Sequence, residues 1–366
     1  MVRSYSGSDS ADEGDGGRDR GGRTRRAEGT REVTDAHGRG IRDIADLVTP
    51  MAVRTVATLR VADHLADGVR TARELAAVTK TDAGVLDRVL RHLVTVEVFS
   101  RDEEGRYGLL PRGEELRDDH PSGARRMLDV ESAIGRADLA FVALPHSVRT
   151  GEAAFPRQFG RSFWDDLKTD PARAAGYDAQ MGVDVTRWAE TVVPAFDWGA
   201  LGRIVDVGGG NGTFLAALLA AHPGLRGTVF DQPETVRAAH ETLAAAGLDG
   251  RADAVAGDFF EALPAGAGGY VLSAVLHDWD DDAARAILRR CAEAAGTRGR
   301  VLVVERCGVD GESVHTGMDL RVFVYFGARE RGVTELTALA AEAGLRVAEV
   351  HPAGDLAVVE MVAAGK

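Results

Sequence analysis

The chain has 366 residues, 45% hydrophobic and 28% charged, which supplies a buried core for two domains and excludes wholesale disorder. A formal net charge of -13 repels phosphate backbones and anionic lipid, so a nucleic-acid or membrane-surface role would need a local basic patch that the apolar-rich part of the chain does not show. No run approaches the roughly 18 apolar residues that span a bilayer, and Cys291 and Cys307 lack a paired ligand spacing, so a soluble, cytoplasmic protein with free thiols is expected.

Residues 1–38 mix Gly, Arg, Asp, Glu and Ser with almost no apolar side chain, and read as a disordered tail. Its Arg23, Arg25 and Arg26 could touch an anion, but acidic neighbours nearly balance them. Residues 39–120 form the next unit. Helical periodicity starts at Ile41, with Ile44, Leu47 and Val48 on one face and Val56, Leu59 and Leu65 after Pro50, which predicts packed helices. Thr71 and Glu74 form a capping box that opens a short helix. Thr81 or Asp82 caps a second, whose apolar set is Val85, Leu86, Val89, Leu90, Leu93 and Val94. A hairpin over 96–99 and 107–110, turning through Asp102 and Gly105, completes a winged helix-turn-helix pattern. Such a unit can present its second helix to DNA. Here that helix, DAGVLDRVLRHL, carries acidic as well as basic side chains, which favours packing against a second domain or a second subunit. Residues 121–198 look helical and aromatic-bearing (FWDDL, GYDAQM, RWAETVVPAF) and suit a bridge between domains.

In residues 199–366 strand and helix signals alternate. Strands are predicted at Arg203–Val207, 228–230, Ala252–Ala256, 270–276 and 301–305, and helices at Thr213–Ala221, at 233–246 and over AARAILRRCAEAA. That order implies an α/β fold with a doubly wound, largely parallel sheet of the Rossmann type, whose ligands sit at the carboxyl ends of the strands. LRVAEV and DLAVVEM add two strands that could form an antiparallel edge.

The sharpest motif is Asp206-Val207-Gly208-Gly209-Gly210-Asn211-Gly212 between a buried strand and an amphipathic helix. Glycines let the backbone turn tightly and approach a ligand, and the helix N-terminus offers free N–H groups, so a nucleotide-like cofactor is expected there; a plain turn is the alternative. Asp231 ends the second strand, where a carboxylate can accept from both hydroxyls of a ribose, cap the helix that starts at Pro233, or do both. Asp258 and Phe259, in GDFF after the third strand, offer a carboxylate for an adenine amino group and a ring to cover its face. The fourth strand ends in LHDWD, and His277 there stands where a general base would act at neutral pH, with Glu305 at the end of the fifth strand able to orient it. Asp278, Asp280, Asp281 and Asp282 could hold a hard metal, but an acidic first turn of the following helix explains them without one.

Together the glycine loop, FDQPETV, GDFF, LHDWDD and VLVVE resemble the plant-type small-molecule O-methyltransferases, and within them the actinomycete enzymes that tailor aromatic polyketides such as naphthoates and anthracyclines. The resemblance covers residues 41–361. It implies S-adenosylmethionine as cofactor, S-adenosylhomocysteine as product, no metal, an aromatic small-molecule substrate methylated at a phenolic hydroxyl, and a homodimer built on the winged-helix region. The linker would contribute to the substrate pocket. Cofactor contacts carry over to Asp206, Gly208, Gly210, Asp231, Gln232, Asp258, Phe259 and Ser273, the last standing where many relatives have lysine. The base is His277, flanked by Glu305 and Glu330, while Tyr177, Met181 and Trp279 lie near the methyl group and acceptor. Asp319 and Arg321 either face the acceptor, the arginine suiting a carboxylate or quinone oxygen, or form a surface ion pair.

Overall fold

The computed structural model describes residues 40–308, 310 and 312–365; the tail expected over 1–38 lies outside the described residues. The chain divides into two units, Met1–Leu47 and Val48–Lys366. In the first, a short helix spans Ile41–Ile44, and Ile41, Ile44 and Leu47 are exposed rather than packed as their periodicity predicts. A four-residue helix cannot bury a face of its own.

The second unit opens with the helix Val48–Thr58. Pro50 sits inside its first turn instead of separating two helices, because an N–H missing there had no intrahelical partner to lose. The winged-helix pattern follows. Thr71 Oγ1 accepts from the Glu74 N–H at 3.2 Å while Glu74 accepts from the Thr71 N–H at 2.9 Å, capping Ala72–Thr79. Asp82, not Thr81, caps Ala83–Thr95 by accepting from the Val85 N–H at 2.8 Å. Leu86, Leu90 and Leu93 of that helix are buried, whereas Val85 is exposed. The hairpin strands are β1 (Phe99–Arg101) and β2 (Tyr107–Leu109), and β1 starts later than predicted because Glu97 takes a left-handed φ of 58° after the helix ends. The Tyr107 hydroxyl donates to Asp87 Oδ1 at 2.7 Å and ties the wing to the second helix.

Seven further strands form one sheet: β3 (Arg203–Val207), β4 (Arg226–Asp231), β5 (Ala252–Ala256), β6 (Gly269–Ser273), β7 (Arg300–Glu305), β8 (Leu345–Ala353) and β9 (Leu356–Ala363). Their order is β5-β4-β3-β6-β7-β9-β8, parallel through β7, with β9 antiparallel to both neighbours. The sheet is buried on both faces, as the alternation in β7 shows: Val301 and Val303 enter one core layer with Ile287 and Leu288, Leu302 and Val304 the other with Ile204 and Leu215. Chain order reverses between β3 and β6, whose carboxyl ends therefore open a crevice. The predicted fourth sheet strand stops at Ser273, three residues early. Ala274 adopts a left-handed φ of 53°, and Leu276–Asp278 form a 3-10 turn. No helix among the described residues is long and apolar enough to cross a membrane.

Candidate active site

The crevice opens into a cavity of about 1720 Å³ that also reaches the helices preceding the sheet. That is room for more than one small organic molecule. On its floor the loop after β3 runs through Gly208, Gly210 and Gly212 at φ of 69°, 58° and 78°. Side chains rarely adopt that backbone, so glycine is required by conformation. Gly209 is required by space, since a Cβ there would fall 2.7 Å from the Asp206 carboxyl. The linker helix Pro171–Val192 closes over this loop, and Gly182 permits the approach because a Cβ would meet Asn211 at 2.6 Å.

Asp206 is 1% exposed, and neither of its carboxylate oxygens has a hydrogen-bond partner among the described residues. Burial, then the nearby Asp231, pushes its pKa up to about 7. Asp178 is raised to about 6 by burial and by Asp231. Asp231 Oδ2 accepts from the Gly210 N–H at 2.9 Å and Oδ1 from the Gln232 N–H at 2.6 Å. It does not cap the helix Pro233–Ala245, whose N-cap position is Gln232. Ser273 Oγ is likewise buried and without a partner among the described residues. A cleft with three crowded carboxylates and orphaned oxygens suits a cationic ligand carrying hydroxyls. S-adenosylmethionine, with an ammonium, a sulfonium and a ribose diol, fits that set. Phe259 and Gln232 also line the cavity. Asp258 follows β5, and its Oδ1 accepts from the Phe260 N–H at 2.9 Å.

His277 lies on the 3-10 turn after β6, not on the strand itself. Its Nδ1 is 2.6 Å from Glu305 Oε2, while Oε1 of the same glutamate accepts from the N–H groups of Val275, Leu276 and His277 at 3.1, 2.9 and 3.3 Å. One buried carboxylate thus shapes the turn and orients the ring. Nε2 is 3.2 Å from Asp278 Oδ1. Burial opposes the charged imidazolium, but Glu305 and Asp278 outweigh it and hold the pKa well above 6.5. From the other side Arg331, almost fully buried, donates to the carbonyls of Leu276 and Trp279 at 2.7 Å and pairs with Asp281 at 2.8 Å. Arg331 as a staple carries no signal in the sequence, because it acts across a fold in the chain, and the adjacency of Asp278 to His277 does not by itself show that its carboxylate turns back onto the ring.

The Glu330 carboxylate accepts from the Ser313 hydroxyl and its N–H donates to Asp319 Oδ1 at 3.0 Å, and the second carboxylate beside the His277 ring is that of Asp278. Arg321 does line the cavity, paired with Asp138 at 3.0 Å and not with Asp319. Tyr177, Met181 and Trp279 line it too. Trp164 stacks on Trp279 and Phe326 with centroids 6.2 and 5.3 Å away, and Tyr177 meets Trp164 edge-on at 6.0 Å, giving an aromatic wall.

The acidic run has protein partners throughout. Asp280 caps Asp281–Ala295 by accepting from the Ala283 N–H at 2.8 Å, Asp281 pairs with Arg331 and Arg329, and Asp282 with Arg285. A different group, Glu349, His351 and Glu360 on β8 and β9, could hold a metal ion, but Arg300 already pairs with Glu360 at 2.7 Å.

Residues 141–346 match the O-methyltransferase domain model and residues 43–119 the O-methyltransferase dimerisation domain model. The chain is 56% identical over 324 residues to the 2,7-dihydroxy-5-methyl-1-naphthoate 7-O-methyltransferase of Streptomyces carzinostaticus, covering 88% of this chain and 97% of that protein. It is 40% identical over 335 residues to the aclacinomycin 10-hydroxylase RdmB of Streptomyces purpurascens, covering 88% and 90% respectively. A solved structure of NcsB1, an O-methyltransferase from neocarzinostatin biosynthesis in complex with S-adenosylmethionine and 2-hydroxy-5-methyl naphthoic acid, superposes with a TM-score of 0.85 at 54% identity, covering 90% of this chain and 100% of that one.

Proposed function

The chain belongs to the O-methyltransferase family, and from that premise we propose that it methylates a phenolic hydroxyl of an aromatic polyketide-type acceptor in the cytoplasm, using S-adenosylmethionine, as a homodimer. The observation that carries this reading is His277, fixed by Glu305 at the mouth of a cleft whose buried acids call for a cation.

Asp206, Asp231 and the turn of Gly208 and Gly210 hold the donor, with Gln232, Phe259 and Ser273 around it. When bound, S-adenosylmethionine supplies a methyl made electrophilic by the positive sulfur. Tyr177, Met181, Trp164 and Trp279 position a flat ring and exclude water. Glu305 keeps the proton on Nδ1, so Nε2 of His277 is the atom that takes the acceptor's hydroxyl proton. The O–H bond breaks, the oxygen keeps the pair and becomes the nucleophile, and Glu305 and Asp278 stabilise the resulting imidazolium. No metal is needed for this chemistry.

The raised pKa gives a pH signature. Only neutral imidazole can accept the proton, so kcat/KM is expected to rise with pH through an apparent pKa above 6.5. Asp278→Asn removes one of the carboxylates that favour the imidazolium, and the rising limb should move to lower pH; a limb that stays in place or moves up contradicts the assignment. Asp206→Asn should weaken S-adenosylhomocysteine binding by about tenfold to a hundredfold, the worth of one charge-assisted hydrogen bond, as read by calorimetry.

Kinship to a hydroxylase favours one second reading, oxygen insertion on the same scaffold. Mass spectrometry of hydroxynaphthoates incubated with the protein and S-adenosylmethionine separates them. Gain of one CH2 unit supports methyl transfer, and gain of one oxygen atom supports the hydroxylase.

A further inference from the structure

Far along the chain from the glycine loop, the cavity wall carries a charged group that the proton transfer does not use. Arg54 comes from the helix Val48–Thr58, Asp138 ends the helix Ala133–Asp138, and Arg321 and Tyr325 lie one turn apart on the helix Thr316–Phe326; all four line the cavity. Asp138 is shared among the other three. Its Oδ2 accepts from Arg54 Nη2, and its Oδ1 accepts from Arg321 Nε at 3.0 Å and from the Tyr325 hydroxyl.

Two guanidiniums therefore face one carboxylate, and one positive charge is left over. The side chains of Arg54 and Asp138 are only 14% and 10% exposed and that of Arg321 is 42% exposed, so the cluster runs from within the wall to its solvated edge. Arg54 Nη1 is buried and has no hydrogen-bond partner among the described residues. A buried donor left without an acceptor is costly, and the planar fork of an arginine matches a planar carboxylate. Elsewhere in the wall Asp178, Asp206 and Asp231 crowd the glycine loop and Asp278 faces His277, while this cluster is cationic.

We propose that Arg54 and Arg321, held together by Asp138 and Tyr325, dock an anionic substituent of the acceptor, a ring carboxylate, and so select hydroxylated aromatic acids over neutral phenols. This rests on the reading that the cavity takes an aromatic acceptor. The acid enters with one negative charge and meets the one uncompensated positive charge, so neither is left buried and unpaired. Tyr325 keeps its proton, because burial and then Asp138 push its pKa up, and it remains a donor that fixes Asp138 rather than a competing anion. In this account Arg54 and Arg321 are binding residues, and Asp138 and Tyr325 position them.

The test is calorimetry on the full-length protein loaded with S-adenosylhomocysteine, titrated with 1,4-dihydroxy-2-naphthoic acid and with its uncharged methyl ester. Wild type should bind the acid about tenfold or more tightly than the ester, the scale of a charge-assisted contact. Arg54→Gln and Arg321→Gln should each remove most of that preference by weakening the acid. Equal affinity of wild type for acid and ester, or equal weakening of both ligands in the variants, overturns the proposal. Should Arg54→Gln fail to fold, the more exposed Arg321 carries the comparison alone. An acid preference lost in the variants, in a protein that methylates neither compound, would uphold the docking point and sink the methyl-transfer reading. Methylation of both compounds without any preference would do the reverse.

Discussion

Alanine in place of His277 is expected to lower kcat by about 10²–10⁴-fold, the usual worth of a positioned general base, while leaving affinity for S-adenosylhomocysteine unchanged. The split follows from position. Nε2 is the nitrogen that the Glu305–Nδ1 contact leaves to take the acceptor's proton, whereas the groups that suit the donor, Asp206, Asp231 and the glycine loop, belong to β3, β4 and the loop after β3 and do not depend on the imidazole. The loss should also be in kcat more than in KM, since the proton moves only as the new bond forms. Single-turnover kinetics with a hydroxynaphthoate acceptor, paired with calorimetry, check both halves. Turnover close to wild type would remove the base from this account.

Glu305 should prove more damaging than its distance from the acceptor suggests. Glu305→Ala leaves three amide donors in the turn Val275–His277 without an acceptor and His277 without its anchor, in a place where Glu305 is only 5% exposed. Removing one partner of such a buried charged pair costs about 3–5 kcal/mol. The Ala274 φ of 53° is a backbone state that surrounding contacts must hold, so the turn should relax when its carboxylate goes. The expected result is a clearly lower melting temperature together with loss of turnover. Glu305→Gln keeps an acceptor oxygen but not the charge; it should melt between wild type and the alanine variant, with turnover still low. A Glu305→Ala protein that melts with the wild type would show that the turn is held by other means, Arg331 foremost.

Local punctuation explains what was legible in advance. The glycine loop and Asp231 stand at strand ends, and His277 just past one, that apolar runs and turn residues mark, and the largely parallel sheet follows from alternation of strand and helix. The capping box at Thr71 is a four-residue pattern and reads directly. What escaped depends on chain segments meeting in space. Asp138 lies 183 residues from Arg321, and no periodicity links them to each other or to Arg54. The strand 270–276 was overread because alanine gives no warning of a left-handed φ at Ala274. Only the resemblance sets Glu330 beside His277, and the loop that carries it turns the carboxylate to Ser313 while its neighbour Arg331 points back to the site.

The most direct test is calorimetric titration of the full-length protein with S-adenosylhomocysteine at neutral and at acid pH. Saturable binding, weakened as pH falls through about 7 where the buried Asp206 gains a proton, is the predicted result. Absence of any binding heat, or affinity that is indifferent both to pH and to Asp206→Asn, would contradict the view that this crevice was built around a cation.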